Sequence, residues 1–180
     1  MNLFKEEADF IRQNIHLVSE GKATNLFYKY SKEFGCLPTS VSQAFIDVIG
    51  ISRLLLAHKE WILDHTFEDC VHLGSVTIPG NIKVIQIKAF DNSDVEDVTF
   101  TRGVTTIWDS AFENCFKLNA VFISKSVTRI GKYCFHNCDR LSEIHYEGTL
   151  AEWKKIFLDK DWKDGHHKVN LYCSDGGLII

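Results

Sequence analysis

Apolar residues in the second two-thirds of the chain recur in columns about 23 residues apart, a spacing too long for one helix or one hairpin. Three segments align without a gap: residues 76–90, 98–112 and 121–135. Val76, Val98 and Val121 share a column that continues to Ile144, and two positions later stand Ile78, Phe100, Ile123 and Tyr146. Next come Ile82, Val104, Val127 and Leu150, then Ile85, Ile107, Ile130 and Trp153. Ala89, Ala111 and Cys134 precede a column of Phe90, Phe112 and Phe135, and Val95, Leu118 and Leu141 complete the unit. The step is 22 residues from Val76 to Val98 and 23 in each of the next two units. A half unit comes first, because Phe67, Cys70, Leu73 and Val76 repeat the spacing of Phe112, Cys115, Leu118 and Val121. Ile62 stands five before Phe67 as Ile107 stands five before Phe112, which starts the repeat near Ile62.

Each Val-x-Ile element alternates inward and outward, the period of a strand with one buried face. Ala111, Phe112, Cys115 and Leu118 predict a short helix or turn on the opposite wall. One such unit cannot bury its own apolar face, so stacked units must share a continuous core. Phe67, Phe90, Phe112 and Phe135 then form a ladder with one rung per coil, and Phe100 and Phe157 are expected in the core.

Residues before the repeat have another rhythm. Leu3, Phe4, Ala8, Phe10, Ile11, Ile15 and Leu17 make a helical stripe. Thr24 caps a second helix that carries Leu26, Phe27 and Tyr30 and stops at Gly35. After the turn at Leu37-Pro38-Thr39, a third helix runs from Thr39 or Ser40 to Ile49, and Ser52 to Leu63 makes a fourth. The predicted fold class is α+β, with a helical N-terminal subdomain over residues 1–61 and a short solenoid with a C-terminal cap over residues 62–180.

The repeat resembles the BspA-type leucine-rich repeat family. The residues that carry the resemblance are Val76-Thr-Ile-Pro79, Ile130-Gly131, Ala111-Phe112, Asn114-Cys115 and Asn137-Cys138 with Leu141. The tail from Ile144 through Trp153, Trp162 and Leu171 to Gly176 looks like the usual ending of such arrays. The resemblance implies a right-handed solenoid of parallel strands used mainly for protein–protein contact, with no shared catalytic residues. This array departs from the family in being short, with three full units between partial ones, and in lacking the export signal of surface-displayed members. Residues 1–61 are similar to the helix-turn-helix segments of phage homing endonucleases, through Phe10-Ile11-Arg12, Tyr30, Phe34-Gly35 and Ser40-Val41-Ser42-Gln43. That resemblance implies DNA contact through Ser40, Ser42 and Gln43.

Composition narrows the function. At 180 residues and 20.6 kDa, with 45% hydrophobic and 24% charged residues, the chain is neither disordered nor fibrous. No apolar run approaches the ~20 residues of a membrane helix. The acidic start Met-Asn-Leu-Phe-Lys-Glu-Glu argues against a signal peptide, so a cytoplasmic protein is expected, and the two resemblances imply a bacterial host cell. Residues 1–65 hold 7 Lys plus Arg against 8 Asp plus Glu, and no basic residue lies between Pro38 and Arg53. DNA affinity rests largely on phosphate neutralisation, so charge opposes the DNA reading. Six cysteines include no Cys-x-x-Cys pair and read as reduced, buried fillers. Eight scattered histidines include His166 and His167, near Asp164 and Cys173. No metal site, cofactor or catalytic set is assigned, and no enzyme is expected.

Outward positions of a solenoid should be small or polar unless something docks there. Trp108, Phe116 and Phe122 break that rule within one and a half coils. They are the candidate anchors for a protein partner, with Arg102 and Arg129 as polar support, and coming from different walls they need not share a face. The reading is a non-enzymatic protein-binding module, phage- or bacterium-encoded, in its narrowest version a small inhibitor of a host defence protein such as an anti-CRISPR. The alternative is a DNA-binding regulator using the N-terminal helices.

Overall fold

The computed structural model describes Gln13 and residues 60–71, 73–163 and 168–180. The predicted helical subdomain, with Ser40, Ser42 and Gln43, falls outside the described residues apart from Gln13, Glu60 and Trp61. So do His166 and His167.

Two sheets run the length of the repeat. The larger contains β2 (Gly74–Ile78), β4 (Val95–Phe100), β6 (Ala120–Ile123), β8 (Glu143–Tyr146), β10 (Asn170–Cys173) and β11 (Gly176–Ile179). Its strands are parallel from β2 to β10, and β11 turns back antiparallel on β10. The smaller sheet stacks two-residue strands: β1 (Trp61–Ile62), β3 (Val84–Ile85), β5 (Thr106–Ile107), β7 (Arg129–Ile130) and β9 (Phe157–Leu158). Register follows the columns: Val76 pairs with Val98, Val98 with Val121, Val121 with Ile144 and Ile144 with Leu171. All five side chains are buried.

The wall opposite the larger sheet consists of turns rather than helix. Each coil places two residues in the left-handed region there: His65, Lys88, Ser110 and Tyr133 at one position, then Asp69, Asn92, Asn114 and Asn137 four residues later, all with φ of 55–58°. A left-handed residue every fourth position prevents helical bonding from propagating. The backbone donors instead reach the next coil, with Phe67 N–H donating to Ala89 O at 2.7 Å, Phe90 to Ala111 at 2.8 Å and Phe112 to Cys134 at 2.9 Å. Asn and Asp tolerate this conformation because their short side chains bond locally, and here each Asn also donates to a side chain of the preceding coil. Asn92 donates to Asp69 at 2.7 Å, Asn114 to Asp91 at 2.9 Å and Asn137 to Asn114 at 2.8 Å.

Inside, the phenylalanine ladder stands as the spacing predicts. Ring centroids of Phe67, Phe90, Phe112 and Phe135 stack at 4.9, 4.8 and 5.7 Å, and Trp162 closes the end edge-on at 6.2 Å from Phe135. Phe100 is buried and meets Phe112 edge-on. Cys115, Cys134 and Cys138 are buried free thiols, and Cys70 is buried with them. The Cys115 thiol donates to Phe90 O and that of Cys138 to Phe112 O, each at 3.1 Å, tying a coil to the one before. Ser93 takes the equivalent place in the shorter coil and donates to Phe90 O at 2.7 Å. Desolvation pushes the Cys134 thiol well above its usual range. The Cys138 thiol is also pushed well up, first by its hydrogen bond with Cys115 and then by burial, so both stay protonated at neutral pH.

Three expectations are corrected. Trp61–Ile62 is strand β1 rather than the end of a helix reaching Leu63, because Ile62 completes the Ile85–Ile107–Ile130 column at full burial. Trp153 does not continue that column. It lies on α1 (Leu150–Trp153), whose capping box joins Thr149 and Glu152, and Leu158 pairs with Ile130 instead. The helix lengthens the last coil, and Trp153 packs edge-on against Tyr146 and Trp162. Phe157 is 54% exposed rather than core, since β9 turns Leu158 inward and Phe157 outward.

Candidate functional site

The outer face of the larger sheet changes character along the array. Its central row runs Thr77, Thr99, Phe122, His145, Tyr172, each paired in register with the next. The first two coils present threonine and the last three present rings. Phe122 and His145 stack at 4.7 Å and 13° between planes, and His145 and Tyr172 at 4.8 Å and 21°. Facing aromatics on neighbouring strands stabilise one another modestly. His145 Nε2 lies 2.8 Å from Glu143 Oε2, two residues back on the same face, which fixes the ring's orientation. Phe122 at 39% and Tyr172 at 44% exposure keep much of their ring surface open to water.

Beside this row lies an open groove of about 350 Å3, lined among others by Thr99, Arg102, Phe122, Ser124, His145 and Glu147. Arg102 forms its rim and pairs with Glu147 through both Nε and Nη2, the Nε contact being 3.0 Å. Glu147 also accepts from the Lys125 backbone N–H at 3.1 Å. Arg102 first, and the Lys125 amide second, hold the Glu147 carboxyl below the usual carboxylate range. The pair is solvent-exposed, so it orients the rim more than it stabilises the fold.

A second cluster sits on the smaller sheet. The Arg129 guanidinium lies over two rings, 5.0 Å from the Trp108 centroid and 4.6 Å from that of Phe157, and meets Asp159 at 3.2 Å. Gly131, one coil beyond Trp108, leaves no room for a side chain: a Cβ there would stand 2.7 Å from the Trp108 backbone and 2.4 Å from Asp109 Oδ1.

The structure therefore divides the five candidate anchors. Phe122 and Arg102 line one groove, Trp108 and Arg129 join on another wall, and Phe116, 50% exposed, lies on the turn wall with neither group. Sequence reasoning did not single out His145, Tyr172 or Glu147, and it placed Phe157 in the core. His145 was visible in the outward column beside Phe122. Tyr172 was hidden because 27 residues, not 23, separate it from His145.

Among the described residues no group of three His, Cys, Asp or Glu could hold a metal ion, and no helix is long and apolar enough to cross a membrane.

A family model for the BspA type leucine rich repeat region matches residues 60–160 in six copies, more than half of the chain. A solved structure, that of a leucine rich cell surface protein from Faecalibacterium prausnitzii, is similar at 28% identity with a TM-score of 0.42. The match covers 54% of this chain and 32% of that one, so the chain spans about a third of that protein's length. No curated protein matches.

Proposed function

Because the chain belongs to the BspA-type leucine-rich repeat family, we propose that it is a non-enzymatic protein-interaction module whose partner docks on the outer face of the larger sheet. The observation that carries this reading is the change within one row from Thr77 and Thr99 to Phe122, His145 and Tyr172. The fold asks nothing apolar of those outward positions, because the same strands bury a complete set of inward residues. A partner segment would lay an apolar side chain beside Phe122 in the groove and set polar groups against Arg102 and Glu147 on the rim. Exposed rings bordered by charged groups are the usual anatomy of such contacts.

The Trp108–Arg129–Phe157 cluster serves as internal support, because the guanidinium is already held by two rings and a carboxylate. Two narrower versions remain: an inhibitor of a host defence protein, acting in a bacterial cytoplasm, which rests on the short array and on residues 1–61, and a DNA reader using Ser40, Ser42 and Gln43, which rests on residues 1–61 alone. A gel shift at low salt separates them, since a DNA reader must bind there.

The test is affinity purification with the tagged chain and with the double variant Phe122→Ala/Tyr172→Ala, each followed by mass spectrometry. A partner captured by the native chain and lost by the variant supports the reading. A partner captured equally by both overturns the assignment to this face.

A further inference from the structure

Among the described residues, the strand that ends the larger sheet has a partner on one side. β11 has the sequence Gly176-Gly-Leu-Ile179, with no charge and no proline, and all four residues are exposed. Natural edge strands are usually guarded by charge, proline, a bulge or a cover. Among the described residues β11 carries none of these on its outer side.

Its hydrogen-bonding phase follows from the pairing. Ile180 and Val169 exchange both backbone bonds, at 3.0 and 2.9 Å. In an antiparallel pair, bonded and non-bonded residues alternate. Leu178 and Gly176 are therefore bonded to β10, opposite Leu171 and Cys173, while Gly177 and Ile179 direct their N–H and C=O groups away from it.

Those four groups are complementary to themselves. We propose that β11 pairs antiparallel with β11 of a second copy of this chain, about a two-fold axis through Leu178. In that register Gly177 faces Ile179 of the second copy, and Ile179 faces its Gly177. Four backbone hydrogen bonds form, and the two Leu178 side chains meet as a non-bonded pair. The two sheets become one continuous sheet.

The side chains favour this occupant. Position 177 cannot carry one, because a Cβ would lie 2.6 Å from the Leu171 carbonyl oxygen. Tyr172, which stands opposite Gly177, therefore has no β11 side chain to continue the ring row. Ile179, the most exposed large apolar residue among the described residues at 65%, is the side chain a two-fold delivers to that place. Rings commonly lean over a facing glycine in this way. Leu178 loses its exposed edge in the same step. One strand pair is a small interface, so association depends on concentration.

Light scattering after size exclusion, over micromolar to submillimolar concentration, tests the idea on the full chain. The native chain is expected to shift from monomer to dimer, and Ile179→Pro to remain monomeric. Proline at this position deletes the outward N–H without touching a bond to β10. Thr77→Lys, far along the sheet, should dimerise like the native chain. A native chain that stays monomeric throughout overturns the proposal, as does an Ile179→Pro chain that dimerises as well as the native one. Should Ile179→Pro fail to fold, Leu178→Cys keeps the test: only this register brings two copies of position 178 within about 5 Å. Oxidation should then trap a 178-to-178 disulfide, identified by peptide mapping, and its absence overturns the register.

Discussion

Two rows of side chains, one residue apart on the same strands, behave differently. The inward row reads Val76, Val98, Val121, Ile144, Leu171 and barely changes. The outward row reads Thr77, Thr99, Phe122, His145, Tyr172 and changes from small and polar to aromatic. Each inward residue must fill the space left by its counterpart one coil away, at crystal-like density, so little variation is tolerated. Outward residues meet only water and their row neighbours. Constancy inside thus reports packing, and departure outside is where a function can be written.

The largest break of that contrast should come from the ladder. Phe112→Ala removes a ring stacked on both sides and should cost about 3–5 kcal/mol, read as a large fall in the urea midpoint. Asn114→Val should be next, at about 2 kcal/mol. It forces a branched residue to φ 58° and removes both side-chain bonds of Asn114, the one it donates to Asp91 and the one it accepts from Asn137. Asn114→Gly should recover part of that loss, which separates backbone strain from side-chain bonding. Cys115→Ser should cost about 1 kcal/mol, for a hydroxyl in an apolar slot that still donates to Phe90 O. Phe122→Ala, by contrast, should move stability by only about 0.5 kcal/mol while abolishing partner capture. Equal stability losses from Phe112→Ala and Phe122→Ala would erase the distinction between rows.

The smallest effect concerns the rim. Glu147 has a folded pKa below its unfolded value, so its contribution is present above the ordinary carboxylate range and is lost as pH falls through the folded value. Arg102→Gln should raise the Glu147 pKa, measured by NMR titration of its side-chain carboxyl carbon. Added salt should shrink the difference between the two proteins, since both partners are exposed.

How far the fold was legible depended on whether a position repeats. The Phe ladder, the Val and Ile columns and the Cys positions could be read because every coil demands the same volume at the same place. Where a coil departs from the period, the reading failed. Counting in steps of 23 put Trp153 in the Ile130 column, but α1 interrupts that coil and passes the place to Leu158. The same count misses Tyr172, which completes the ring row. The left-handed position shared by His65, Lys88, Ser110 and Tyr133 carried no signal, because it is imposed by inter-coil bonding rather than by residue type. For the candidate site, Phe122 with Arg102 and Trp108 with Arg129 were named, but the grouping into two separate walls needed coordinates.

The direction of the strand hydrogen bonds has a mechanical consequence. In both sheets they lie along the stacking axis, from one coil to the next. A force applied along that axis therefore loads each inter-coil seam in turn rather than shearing all seams together. The repeat should yield by peeling, one coil per event. Each event should release about 80 Å of chain, the reach of roughly 23 extended residues, and a single-molecule stretching trace would record it as a regular staircase.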